Sequence, residues 1–131
     1  GSAPTVFNLG QALHIAAAAK DPDVRLLPDI YHLFRGGSGF DGLKLLNGSV
    51  IEVFHINDYP ATPDRVMQKD SDRVFPGDGV APMRAILGDL KRMGGTKVLS
   101  LELFNRDYWK RDPLEVAKEG LRKMKACVEA V

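Results

Sequence analysis

The chain has 131 residues, which is enough for one domain with a core and too few for a large enzyme fold. Hydrophobic residues make up 44% of the sequence and charged residues 27%, and the 18 basic and 17 acidic residues give a formal net charge of +1, a weak signal for nucleic-acid binding. No apolar run approaches the roughly 20 residues of a membrane span, and the single cysteine, Cys127, excludes an internal disulfide and indicates a reducing, cytoplasmic compartment.

The first half of the chain is predicted to alternate helices with strands. Apolar residues at helical spacing predict a helix over residues 7–20. Residues 24–30 form a continuous apolar run, which is typical of a parallel strand covered on both faces. Ser38 is placed to cap a helix over residues 40–48, and a second apolar strand is predicted over residues 50–56.

The second half begins with a long polar loop, residues 57–81, whose length indicates a functional or a disordered segment. Pro82 fits the first turn of a helix, and a third strand is predicted over residues 96–103. Asp112 fits the N-cap of a last helix that runs to about Ala130. The predicted buried side of that helix carries Val116, Leu121, Met124 and Val128. This alternation favours right-handed βαβ units and a parallel sheet.

Each predicted strand brings an ionisable side chain to its C-terminal end. The first strand reaches Asp29, with His32 three residues later, the second reaches His55 and the third reaches Glu102. Parallel strands that are in register place these ends on one face, where α/β proteins hold their active sites. Carboxylate and imidazole groups together suit a divalent metal ion. A shared metal or catalytic cluster is therefore predicted, and unrelated buried polar groups are the alternative.

The glycines between residues 37 and 42 match the pattern G-x-G-x-x-G, which in dinucleotide-binding proteins follows a strand directly. Here the segment DIYHLFR separates the predicted strand from the glycines, so that the backbone is not placed for a pyrophosphate. We favour the interpretation that these glycines shape a loop at the rim of the site.

Four segments, PDIYH, VFHINDYP, DRVFPGDG and LSLELFN, resemble in their order the C-terminal portion of the xylose isomerase-like barrel superfamily. Its members include sugar and sugar-phosphate isomerases and epimerases, hydroxypyruvate isomerases, inosose dehydratases and endonucleases of the endonuclease IV type. The resemblance covers nearly the whole chain. It implies an α/β fold in which residues 1–131 form the C-terminal fragment of a single (β/α)8 TIM-barrel domain, about three βα units with a leading helix.

The ketose 3-epimerase branch of this superfamily binds its metal ion through an aspartate, a histidine and two glutamates. By resemblance, Asp29, His55 and Glu102 are three of these ligands, and His32 and Arg73 contact the substrate. The other glutamate would stand before the first helix, so the chain is expected to be the C-terminal piece of a longer protein. Manganese, cobalt or magnesium suits this ligand set best, and zinc is possible.

The expected activity is metal-dependent isomerisation or epimerisation of a small carbohydrate or polyol-derived substrate. The ion would polarise a chelated carbonyl, and Glu102 would carry the proton of the neighbouring C–H group. An inosose dehydratase-like lyase is an alternative with the same enolate chemistry.

Two further alternatives belong to other classes. HINDYP also resembles the H-x-N-D segment of the endonuclease branch, but Val74 stands where the Asp-x-His unit of that branch has its zinc-binding histidine, so a DNA-repair enzyme is disfavoured. The chain is also compatible with a non-catalytic fragment that self-associates through open strand edges. We expect the chain alone to be inactive and to associate with its own copies or with a missing N-terminal segment, and we expect neither nucleic acid nor membrane as a partner.

Overall fold

Two parallel strands lie at the centre of the computed structural model, which describes residues 5–131. Strand β1 (Val53–Ile56) pairs with strand β2 (Val98–Leu101), and His55 lies opposite Ser100 in the register. The described residues form the α-helices α1 (Leu9–Ala19), α2 (Ile30–Arg35), α3 (Met83–Met93) and α4 (Pro113–Glu129). Short 3₁₀ helices occur at Asp41–Leu45, Asp70–Asp72 and Tyr108–Lys110. The predicted alternation of helices with parallel strands is confirmed.

The first predicted strand is wrong in extent. Residues 24–30 contribute only two isolated parallel bridges, Leu26 with Ile51 and Asp29 with His55, and helix α2 begins at Ile30. The helix begins there because the Asp29 side chain accepts a hydrogen bond from the His32 backbone N–H at 2.9 Å, as an N-cap does. The extended segment, β1 and β2 nevertheless lie side by side in the parallel order that the sequence predicts.

Ser38 does not cap the helix that was predicted to follow it. Its Oγ accepts a hydrogen bond from the Leu9 backbone N–H at 2.8 Å, at the start of α1. The segment predicted as a helix over residues 40–48 forms only the 3₁₀ helix Asp41–Leu45, which has no side-chain cap. The hydroxyl thus satisfies a free N–H group of a helix that is distant in sequence, and the local helix loses its cap.

One hydrophobic core joins the sheet to the helices. Its fully buried side chains include Phe54 and Ile56 from β1, Ile30 from α2 and Ile86 from α3. Complete burial of such side chains contributes about 1.5–3 kcal/mol each. No helix within residues 5–131 has the length and the apolar composition needed to cross a membrane.

Helix α4 confirms its predicted cap and part of its predicted buried side. The Asp112 side chain accepts a hydrogen bond from the Glu115 backbone N–H at 3.0 Å, and Pro113 is the first residue of the helix. Met124 packs against the core and Val116 is half-buried, whereas Leu121 and Val128 are exposed. The buried residue of this helix is Gly120. A Cβ atom at Gly120 would lie 2.3 Å from Leu101 of β2, so close approach at the glycine sets which side of the helix is covered.

The long loop after β1 is held by one buried carboxylate, that of Asp58. Its backbone forms a bridge with Val74, and its side-chain oxygens accept four backbone N–H groups at 2.8–3.1 Å. The donors are Tyr59, Gly77, Gly79 and Ala81. Burial raises the pKa of the Asp58 carboxyl, and the four N–H groups oppose this effect. The loop is therefore anchored to the end of β1, beside the site described below.

Candidate functional site

Three side chains that could hold a metal ion meet at the C-terminal end of the sheet. Asp29 ends the extended segment beside β1, His55 lies in β1, and Glu102 directly follows β2. One ligand atom from each residue lies within 4.8 Å of the other two. The His55 Nδ1 is 3.5 Å from Asp29 Oδ2 and 3.4 Å from Glu102 Oε2. The structure thus brings together the three residues that the sequence suggested as ligands.

The spacing of these atoms fits a divalent ion. In a tetrahedral site with bonds of about 2.1 Å, neighbouring ligand atoms lie about 3.4 Å apart. The two separations from His55 Nδ1 match this value within about 0.1 Å. A site with one nitrogen and two carboxylate oxygens suits zinc, manganese or cobalt and leaves a coordination position open.

Arg73 is the fully buried counter-charge of this cluster. Its Nη1 donates to Asp29 Oδ2 at 3.0 Å and to Glu102 Oε2 at 2.8 Å. Its Nη2 donates to Asp70 Oδ1 at 2.7 Å. Burial opposes the charge of the guanidinium, but the neighbouring carboxylates outweigh this effect and raise the pKa of Arg73 above its usual value. The role of Arg73 as a substrate contact stays a prediction, since these donors are directed at protein groups.

The Arg73 guanidinium also determines which nitrogen of His32 carries the proton. The Arg73 Nη2 lies 3.0 Å from His32 Nε2, and because a guanidinium has only donors, that ring nitrogen must accept. Desolvation and the charge of Arg73 lower the pKa of His32, although Asp29 opposes them. The ring is therefore neutral near pH 7 with its proton on Nδ1, and in this arrangement it offers a donor rather than a free lone pair.

Asn57 is a site residue that was not identified from the sequence. It is fully buried between Asp29, Glu102 and Tyr31, and its carboxamide hydrogen-bonds all three. Its signal in the sequence was a polar amide directly after an apolar strand. Such a residue, two positions after a predicted ligand, is a candidate for holding that site together.

A cavity of about 540 Å³ opens beside Glu102, the member of the cluster that lines it. It is within the usual range of small-molecule sites, about 300–1,000 Å³. Its walls include His32, Asp70, Arg73, Glu102, Phe104 and Trp109. A combination of charged groups and aromatic rings provides hydrogen bonds for hydroxyl groups and flat surfaces for C–H groups. The cavity therefore suits a small polar substrate with an apolar face.

Comparison with protein families matches residues 2–127 to the xylose isomerase-like TIM barrel. The inosose isomerase of Bacillus velezensis is 35% identical over 127 residues, which are 97% of this chain and 44% of that protein. The inosose isomerase of Bacillus subtilis is 34% identical over 118 residues, 88% of this chain and 42% of that protein. The chain spans less than half the length of these curated relatives.

Solved structures give the same result. The IolI protein, crystallised with a bound zinc atom, superposes with a TM-score of 0.87 at 31% identity and covers 95% of this chain and 45% of its own. A xylose isomerase domain protein from Alicyclobacillus acidocaldarius has a TM-score of 0.75 at 24% identity, covers 92% of this chain and 43% of its own, and supports the fold alone. Because the family match covers nearly the whole of this chain, the chain belongs to the xylose isomerase-like TIM-barrel family.

Proposed function

We propose that this chain is part of a metal-dependent isomerase that acts on a small cyclic ketone or related sugar. The observation that carries the proposal is the convergence of Asp29 Oδ2, His55 Nδ1 and Glu102 Oε2 at one end of the sheet. The relatives named inosose isomerase and the zinc-bound IolI structure support it. The same relatives favour isomerisation over epimerisation or over a dehydratase-like elimination.

The residues of the chain have distinct parts in the proposed reaction. Asp29, His55 and Glu102 would hold the ion, which when bound would polarise a carbonyl of the substrate and acidify the adjacent C–H group. The Glu102 carboxylate moves the proton, since the lone pair of His32 Nε2 is directed at Arg73. His32 donates from Nδ1 to a substrate oxygen, and Arg73 donates to Glu102 Oε2 and borders the substrate cavity.

We also propose that residues 1–131 are the C-terminal part of one barrel domain, whose other strands supply the fourth ligand. The coverage of the relatives, 44% for the first of them, supports this assignment. Leu27 and Val98, at the two outer edges of the sheet, are 54% and 60% exposed and need a covering partner. The partner is the remaining part of the barrel or a second copy of the chain.

A cytoplasmic location stays a prediction.

The test uses the complete protein, freed of metal and reloaded with zinc or manganese. It is incubated with a keto-inositol in D₂O, and NMR follows both the isomer ratio and deuterium at the carbon beside the carbonyl. Isomerisation with deuterium exchange, abolished in His55→Ala but retained in the exposed control Asn47→Ala, is the expected result. Loss of water from the substrate would favour the lyase alternative, and retained activity without any metal would overturn the proposal.

A further inference from the structure

Asn57 connects the three segments that form the candidate metal centre. It directly follows β1, and its Nδ2 donates to Asp29 Oδ2 at 2.9 Å and to the Glu102 carbonyl oxygen at 3.4 Å. Its Oδ1 accepts a hydrogen bond from the Tyr31 backbone N–H, in the first turn of α2, at 2.9 Å. The amide is fully buried, so water does not compete for these bonds.

The three partners allow only one orientation of the Asn57 amide. The Tyr31 N–H is a donor and therefore requires the amide oxygen, which leaves the NH₂ group facing two acceptors. A flipped amide would place N–H against N–H and oxygen against the carboxylate of Asp29. The direction of the Nδ2–H bond toward Asp29 is therefore fixed by the start of α2.

We propose that Asn57 is a positioning residue that holds Asp29 Oδ2 toward His55 for metal binding. This inference rests on the proposed function. The Asp29 Oδ2 that Asn57 contacts is the same oxygen that lies 3.5 Å from His55 Nδ1. The bond from Asn57 to the Glu102 carbonyl fixes the backbone of a second predicted ligand. Partners that orient metal ligands in this way typically change metal affinity by 10–100-fold when they are removed.

The matched control is Gln68, a second buried carboxamide. Its Nε2 donates to the carbonyl oxygens of Pro60 at 2.7 Å and Pro63 at 2.9 Å, and it contacts none of the predicted ligands. Asn57→Ala therefore removes three side-chain hydrogen bonds of a buried amide, and Gln68→Ala removes two. Both variants should lose stability, but only the first should lose metal affinity if Asn57 is a positioning residue.

The experiment measures zinc affinity of the complete protein by competition with a chelating dye, together with the unfolding midpoint. Asn57→Ala should bind zinc 10–100-fold more weakly than the parent protein. Gln68→Ala should bind within about threefold of the parent, well below the range for ligand-orienting partners. Equal zinc affinity in both variants and the parent would overturn the inference. If His55→Ala binds zinc as tightly as the parent protein does, the proposed function itself is overturned.

A second measurement needs no variant and applies if Asn57→Ala does not fold. The side-chain amide of Asn57 is followed by ¹⁵N NMR while zinc is added to the parent protein. Because its Nδ2–H is bonded to an oxygen predicted to bind the ion, its resonance should shift in proportion to zinc occupancy, whereas that of Gln68 should not. An Asn57 resonance that stays in place at full occupancy would contradict the inference.

Discussion

The substitution Glu102→Gln separates the chemistry of the site from its stability. It keeps the shape of the side chain and removes the charge. Glu102 Oε2 accepts from Arg73 Nη1 at 2.8 Å and lies 3.4 Å from His55 Nδ1, and its side chain is 33% exposed. The glutamine still accepts from Arg73, but it cannot take up a proton, and it is a weaker metal ligand.

The two effects differ greatly in size. In the parent, both partners of the hydrogen bond between Arg73 and Glu102 are charged, whereas in the variant only Arg73 is, which weakens the bond by about 1 kcal/mol. Because Glu102 is partly exposed, water reduces this loss. The free energy of unfolding should therefore fall by at most about 1 kcal/mol. Removal of a general acid–base group typically lowers turnover by about 10²–10⁴-fold. Glu102→Gln should therefore unfold at nearly the parent urea midpoint while its kcat collapses.

The assay is deuterium exchange of the substrate, with the urea midpoint and the metal content measured on the same preparation. The control is Glu52→Gln, which alters an exposed carboxylate that pairs with Arg25 at 3.0 Å and should leave turnover unchanged. Parent-like kcat in Glu102→Gln would refute the assignment of the proton transfer to Glu102.

The remaining predictions concern the surroundings of the site. Arg73→Ala removes the counter-charge of three buried or half-buried acids and should cost about 3–5 kcal/mol in urea unfolding and raise KM in any folded fraction. Gly79→Ala should be strongly destabilising in thermal unfolding, because its Cβ would lie 2.2 Å from the Tyr59 carbonyl oxygen, whereas Gly39→Ala, with no atom within 4 Å, should show only backbone strain. Burial raises the pKa of the Cys127 thiol. The thiol's contribution to stability is therefore present below the ordinary pKa near 8.5 and is lost as the pH rises through the folded-state pKa. Iodoacetamide should accordingly react more slowly at pH 8.5 with the folded protein than with the urea-unfolded protein. The 131-residue chain alone should lack turnover, and addition of the remaining barrel segment in trans should restore turnover and metal affinity together.

Local patterns in the sequence were enough to predict a parallel α/β fold and the three candidate metal ligands. The apolar runs that end at Asp29, His55 and Glu102 needed only the rule that parallel strands share one carboxyl end. The Asp112 cap of α4 was equally readable, since its hydrogen bond to Glu115 spans three residues. The residue that ends an apolar run and the residue that caps a helix both depend on neighbours in the chain, so the pattern of residue types is enough to predict them.

The remaining features depend on partners distant in the chain. Ser38 has the chemistry of a local cap, but its hydroxyl is used by Leu9, 29 residues away. Asn57 is of a residue type common in turns. Only the tertiary structure brings the Tyr31 N–H to its amide oxygen and the Asp29 carboxylate to its amide nitrogen. The sequence by itself determined which side chains reach the end of the sheet. The tertiary structure decided how they are held, because a buried hydrogen bond takes whichever partner the packing of the core places within reach.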